Sequence, residues 1–200
     1  MHAEEHRRDG DNQPPHGDQA HHIQPAAVAQ DHPFIGVAVV TISDRGFRGE
    51  RDEDLSGQAI KDNLHRFGGT LRHYEQIPDE QEMITQTLLH FVDELHVDLI
   101  LTTGGTGLSP RDRTPQATRP VLDYEVPGIA EMMRTRSAAK TPFAYLSRAV
   151  AGVREETLIV NLPGSPKACA EILEWLAPII PHAIETLRGT VSEHKPSDAS

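Results

Sequence analysis

The chain has little sulfur and few aromatic rings. Cys169 is the one cysteine among 200 residues, and Phe, Trp and Tyr together make up 4%. A single thiol cannot close an internal disulfide, so no cysteine framework staples the fold and nothing calls for an oxidising compartment. With so few rings, the core has to come from aliphatic side chains and alanine within the 37% hydrophobic residues. That composition suits an α/β protein better than an aromatic-rich β sandwich. No stretch approaches the ~18 apolar residues of a membrane span. The opening MHAEEHRRDGDNQPP has no apolar leader segment, so the expected location is the cytoplasm, with no membrane partner. Positive charge is also short: 19 Lys and Arg stand against 30 Asp and Glu, for a net charge of -11. Such a surface repels a phosphate backbone, and nucleic acid is excluded as an expected partner. A local basic pocket for one small anion is still compatible with it.

The length fits one domain with a real core. Residues 1–32 differ from the rest, holding six of the 12 histidines and almost no large apolar residue. Their six acids against two arginines give -4. A segment of this kind cannot bury enough surface to offset its ordering entropy, and it is expected to be a disordered, His-rich N-terminal tail. The histidines raise a metal-binding reading, but their spacing is irregular and no cysteine joins them. Residues 190–200 are expected to be a second disordered tail, which leaves 33–189 as the folded domain.

That domain alternates. FIGVAVVTI (34–42) is a β-branched run that reads as a buried strand, and SDRGFRGERDED after it reads as a polar loop. A helix starts at Leu55, carries Ala59, Ile60, Leu64 and Phe67 on one side, and stops at Gly68-Gly69. TLRHYEQI is a weaker strand. Pro78-Asp79 opens a helix with Ile84, Leu88, Phe91, Val92 and Leu95 at helical spacing. Val97–Thr102 is a buried strand, and Thr114-Pro115 starts a helix with Thr114 expected as its N-cap. IAEMMRTRSAA is a helix after Pro127-Gly128, TLIVNL a strand, and KACAEILEWLA a helix capped by Ser165-Pro166; HAIETLRG closes the domain. PGIAEMM and AGVREE are candidate interface segments. The repeat of strand and helix predicts a three-layer, doubly wound, mostly parallel sheet with helices on both faces. Ligands of such sheets sit beyond the carboxyl ends of the strands at a switch point. Three loops lie there: SDRG, TTGGTGLSPRD and NLPGSPK.

The second of these loops holds Gly104, Gly105 and Gly107. It is not a P-loop, because Leu108-Ser109 stands where Lys-Ser/Thr is required. It is not a dinucleotide fingerprint either, because counting from Gly105 the third glycine position is Pro110. What remains is the physics common to both: glycines let backbone amides approach an anion in a concave nest. A tight strand-to-helix turn without a ligand is the competing reading. Thr102, Thr103, Thr106 and Ser109 add hydroxyls, and Arg111 and Arg113 add cations. Asp112 beside a phosphate site is electrostatically wrong unless a cation bridges the two, and Mg²⁺ is the usual one. Asp79 is a second such carboxylate, although taken alone it is an ordinary acid at a helix start.

TTGGTGLSPRDRTPQAT, with SDRGFRGERDEDLSG before it and LIVNLPGSPKA after it, resembles the MogA/MoaB family of molybdopterin adenylyltransferases from about Phe34 to Gly189. The resemblance implies molybdenum cofactor biosynthesis by a nucleotidyltransferase. Mg-ATP would adenylylate the terminal phosphate of molybdopterin, giving adenylyl-molybdopterin and pyrophosphate. It also implies Asp79 (in IPDEQ) and Asp112 (in PRD) as the catalytic pair, with Mg²⁺ between them and the phosphates. Ser43 and Asp44 match the SDR loop. Thr103, Gly104, Gly105, Thr106, Gly107, Arg111 and Thr114 match the glycine-loop region, and Ser137, Ser147 and Asn161 match polar pocket positions. Pro163, Gly164, Ser165 and Lys167 match the last loop, at a helix N-terminus suited to an anion. The implied partners are molybdopterin and ATP, a downstream molybdate-insertion protein, and copies of the chain in a homotrimer or homohexamer. The alternative is a non-catalytic molybdopterin-binding or scaffold protein of the same pathway; a generic nucleotide-binding module is a weaker one. Phosphoryl transfer needs positioning and charge neutralisation, not a protein nucleophile, so Cys169 is expected to be an ordinary helix residue.

Overall fold

Ile35–Ile42 forms β1, buried along its whole length, as an uninterrupted β-branched run should be when both faces of a parallel sheet are covered. The computed structural model describes residues 34–50 and 53–190. After β1 come a single turn, α1 (Asp44–Phe47), then α2 (Leu55–Asn63), β2 (Gly69–Ile77), α3 (Gln81–Leu89), β3 (Leu99–Thr103) and α4 (Thr114–Thr118). They are followed by β4 (Tyr124–Glu125), α5 (Pro127–Ala138), β5 (Ala151–Arg154), β6 (Thr157–Leu162), α6 (Pro166–Leu176) and α7 (Ile180–Leu187). Apart from Thr190, the two expected tails lie outside the described residues.

The six strands form one sheet in the order β2-β1-β3-β6-β5-β4. β2, β1, β3 and β6 are parallel, while β5 and β4 are antiparallel to their neighbours. Successive strand residues point to opposite faces. Val37, Val39, Leu99, Leu101, Leu158 and Val160 therefore join one core with Ile60 of α2, Met133 of α5, Leu173 and Leu176 of α6, and Ile184 of α7. Ala38, Val40, Ile100 and Ile159 join a second core with Ile84 and Leu88 of α3 and Ala117 of α4. This is the predicted three-layer, mostly parallel arrangement. From β1 the chain steps through α2 to β2 on one side, then through α3 back across to β3 on the other. The switch point thus lies between β1 and β3.

Several local expectations are corrected. The polar loop after β1 contains the one-turn α1, with Ser43 Oγ accepting the Gly46 amide at 3.1 Å. α3 begins at Gln81 with Glu80 as N-cap, so Asp79 is outside the helix. α4 begins at Thr114 itself, after Arg113, and the Thr114 hydroxyl donates to the Gly104 carbonyl at 2.9 Å instead of capping its own helix. In AGVREE, Ala151, Gly152 and Val153 are buried in β5, between β6 and β4, while Glu155 and Glu156 are exposed. Within PGIAEMM, Ile129, Ala130 and Met133 are buried in the chain's own core. The β5–β6 hairpin turns through Glu155-Glu156, with Glu155 at φ +52° and its amide held by Asp123 Oδ2 at 2.8 Å. That support lets a non-glycine residue occupy the left-handed region, so no glycine marks the turn.

Candidate functional site

The carboxyl ends of β1, β2, β3 and β6 deliver Ser43-Asp44, Pro78-Asp79, Gly104–Gly107 and Pro163–Ser165 to one edge of the sheet. At the centre is the glycine loop. Gly104 has φ +101°, and a Cβ there would lie 2.2 Å from the Ile42 carbonyl oxygen. Gly105 has φ +63°, and its Cβ would lie 2.3 Å from Thr114 Oγ1 and 3.0 Å from Asp79 Oδ1. Both positions thus require glycine for conformation and for room. The Thr114 amide bonds the Gly105 carbonyl at 3.2 Å, and the fully buried Thr114 fixes the base of the loop.

Asp79 and Asp44 hold each other. The Asp44 amide donates to Asp79 Oδ2 and the Asp79 amide to Asp44 Oδ1, both at 3.0 Å. The Arg111 guanidinium then bridges Asp44, at 2.9 Å from each carboxylate oxygen, and Glu80 at 2.9 Å. Burial raises the Asp44 carboxyl, but the Asp79 amide and the Arg111 guanidinium offset it and hold the group below the ordinary aspartate value. Asp79 goes the other way. Burial pushes its carboxyl up, and the charges of Asp44 and Asp112 add to this, against lowering by the Asp44 amide and Arg111. Asp112 accepts the Ser109 amide at 2.8 Å through Oδ2, and a Cβ on Gly107 would lie 2.9 Å from that oxygen. Asp79 therefore lies against Gly105 and Asp112 against Gly107.

A cleft of about 530 Å³ opens from this loop toward α5 and α6. Gly104, Gly105, Thr106, Gly107, Asp112, Ser137, Ser147, Pro163, Gly164 and Ser165 line it, all of them expected site residues. A smaller cavity of about 60 Å³ beside it takes in Ser43, Asp54 and Gly104. Ser165 also accepts the Ala168 amide at 3.4 Å as N-cap of α6. Lys167 is exposed on the first turn of α6, and it does not line the cleft.

Thr103 and Asn161 are placed differently from the expectation. Both are fully buried. The Thr103 hydroxyl donates to the Pro163 carbonyl at 2.8 Å. Asn161 Nδ2 donates to Thr102 Oγ1 and Thr118 Oγ1 at 3.1 Å each, and its Oδ1 accepts the Val150 amide at 3.4 Å. These two residues tie strand ends together beneath the site and do not line the cleft. Cys169 is buried, with its thiol pushed up to about 11 by burial, which keeps it protonated and inert. Sequence reasoning passed over Arg134, Thr141, Phe143 and Leu146, which line the cleft. Arg148, next to Ser147, is not among the expected site residues either. Arg148 donates to the Gly107 and Asp112 carbonyls at 2.6 and 2.7 Å. An arginine that bonds only backbone carbonyls leaves no pattern in sequence.

A glycine loop and paired carboxylates stand at the switch point of a mostly parallel sheet, the edge at which doubly wound α/β domains bind their ligands. Residues 38–182 match the family model described as "Probable molybdopterin binding domain", and the chain belongs to that family. It is 43% identical over 157 residues to the molybdopterin adenylyltransferase of Helicobacter pylori strain J99, covering 78% of this chain and 89% of that one. It is 40% identical over 176 residues to the molybdopterin adenylyltransferase of Escherichia coli K12, covering 81% and 90%. The crystal structure of the molybdopterin biosynthesis enzyme MoaB from Thermus thermophilus superposes with a TM-score of 0.74 at 52% identity. That match covers 78% of this chain and 98% of that one.

Proposed function

We propose that the chain is a molybdopterin adenylyltransferase of molybdenum cofactor biosynthesis. A terminal phosphate oxygen of molybdopterin attacks the α-phosphorus of ATP; the new P–O bond forms as the bond to the β-phosphate breaks, and pyrophosphate leaves. The observation that carries this reading is the pair of carboxylates, Asp79 against Gly105 and Asp112 against Gly107, on a glycine loop that opens into the 530 Å³ cleft. Near phosphates they would repel the substrate, so their presence fits a bridging cation. Among the described residues no three His, Cys, Asp or Glu converge as a self-sufficient metal site. That suits Mg²⁺, which keeps several waters and shares its ligands with substrate phosphates. The ion would supply charge neutralisation. The loop amides of Gly104–Gly107 orient the phosphates together with Ser165 at the N-terminus of α6, and Ser137 and Ser147 offer hydroxyls to the pterin end.

The names of the bacterial relatives support both substrate and reaction. The acidic surface fits small-molecule substrates handed to a molybdate-insertion protein, and not nucleic acid. A cytoplasmic location is the expected one; no helix among the described residues is long and apolar enough to cross a membrane. A homotrimer or homohexamer is the expected assembly. The test is purified protein with molybdopterin, ATP and Mg²⁺, monitored by mass spectrometry for adenylylated pterin. Product that disappears in an Asp79→Asn/Asp112→Asn double variant supports the assignment. Pterin bound and left unchanged by the folded parent protein overturns it in favour of a binding protein.

A further inference from the structure

Asp112 closes a six-residue excursion that starts at Gly107, and Leu108 to Arg111 between them are exposed. Inside this loop the Asp112 amide bonds the Ser109 carbonyl at 2.9 Å, and the Ser109 amide bonds the Asp112 carboxylate at 2.8 Å. Neither bond anchors the loop to the body of the protein. Arg111 does so near the end of the loop, through Asp44 and Glu80. Arg148 does so at both ends. Its Nε donates to the Gly107 carbonyl at 2.6 Å and its Nη2 to the Asp112 carbonyl at 2.7 Å. Its own amide bonds the Thr106 carbonyl at 2.9 Å. One planar guanidinium thus spans the first and last residues of the loop. Arg148 is in turn seated by a second arginine. Arg134, on α5, donates to the carbonyls of Ser147 and Ala149 at 3.4 and 3.1 Å, on either side of Arg148. Arg134 and Ser147 both line the 530 Å³ cleft.

We propose that Arg148 is a positioning residue that sets Asp112, and that Arg134 seats Arg148, so that the two arginines link the cleft wall to the carboxylate at its mouth. The role of Asp112 in the transfer step rests on the adenylyltransferase reading; the linkage itself rests on the hydrogen bonds. The fork geometry is what matters. A lysine keeps the charge, but a single ammonium on a flexible stem does not hold two carbonyls in a fixed plane. Gly107 and Asp112 are only partly buried, so water replaces the lost donors and the domain stays folded. With only the Arg111 contacts left, Gly107 and Asp112 then lose their fixed positions, and misplacement by about 1 Å costs on the order of 10²-fold in rate.

Two readouts test this on the full chain. In hydrogen exchange, Arg148→Gln, Arg148→Lys and Arg134→Gln should each speed exchange of amides 107–113, leaving β1 and β3 amides at parental rates. In turnover, Arg148→Lys and Arg148→Gln should both fall by roughly 10- to 10²-fold in kcat, with molybdopterin affinity kept. The Arg134→Gln/Arg148→Gln double variant should fall no further than Arg148→Gln alone, because both act through one contact. Unchanged exchange at 107–113, parental turnover in Arg148→Lys, or an additive double variant would each overturn the proposal. A parent protein with no turnover would remove the adenylyltransferase reading, and the exchange data would then decide the linkage alone.

Discussion

Of the three aspartates within the site, Asp44 and Asp79 are shifted in opposite directions, while Asp112 is the one beside the outer end of the glycine loop. Asp112 is exposed enough to meet a cation, and its carboxylate is braced by the Ser109 amide. Asn keeps an oxygen for that amide and removes only the charge. Asp112→Asn is therefore expected to bind molybdopterin normally while kcat falls by about 10²-fold or more, since a charge aimed at the transferring phosphoryl group is lost. Parallel titration of pterin binding and turnover checks this, and equal loss of both would contradict the role. Asp79 carries a stability cost. Its folded pKa is raised by burial and by the charges of Asp44 and Asp112, so the folded state binds this proton more tightly than the unfolded chain. Its contribution to stability accordingly worsens as pH rises through the raised folded value, and it recovers as pH falls toward the ordinary value of 3.8. Asp79→Asn should raise the melting temperature at pH 7 and raise it much less near pH 4, at the expense of activity. Melts at the two pH values test this, and no gain at pH 7 would refute it. Asp44, held low after its burial is offset by Asp79 and Arg111, has the opposite sign: its stabilisation is lost as pH falls.

At the scale of elements, the site is a set of strand ends and helix starts. Ser165 shows how one residue serves both. It caps α6 through the Ala168 amide and faces the cleft with Gly164. Ser165→Ala should cost ~1 kcal/mol of stability through the lost cap. Ser165→Asp should keep the cap but place a negative charge where the ligand phosphates belong, so it should melt near the parent and bind ATP far more weakly. Thermal melts and ATP titration of the two variants separate cap from ligand contact; identical behaviour would remove Ser165 from the site. The same scale explains what the sequence made legible. β1, β3 and β6 are β-branched runs, and α3 and α6 have clear apolar faces, so the parallel core and the glycine loop were readable. β4 has two residues, and β5 is AGVR joined to β6 through a non-glycine turn, too short and too weakly patterned to register. Asn161 is expected in the pocket because it matches a polar pocket position of the family the chain resembles, yet the packing of Thr102 and Thr118 around it claims its amide donors. Arg134 and Arg148 bond backbone carbonyls, which come together only once the chain is folded.

At the scale of the whole molecule, chemistry and anchorage sit at opposite ends of the strands. The carboxyl ends carry the glycine loop and the aspartates. The amino ends carry Asp98, just before β3, whose Oδ2 accepts the Gly36 amide of β1 at 2.6 Å. Its Oδ1 accepts from Arg188, beyond α7, through Nε at 3.0 Å and Nη2 at 2.5 Å. Arg188 also donates to the Phe34 carbonyl at 3.2 Å. One ion pair, with each side chain about a fifth exposed, therefore joins the start of β1, the start of β3 and the last helix. Arg188→Met removes the charge and two donors but leaves a stem of similar length, and Asp98 is left partly desolvated without its partner. The expected loss is ~1–3 kcal/mol. For a domain of this size each kcal/mol lowers the melting temperature by roughly 2–4 °C. Because β3 separates this clasp from the glycine loop, kcat and KM should stay at parental values. A variant that melted early and also lost turnover would mean that the amino-end clasp and the site form one cooperative unit instead of two separable ends.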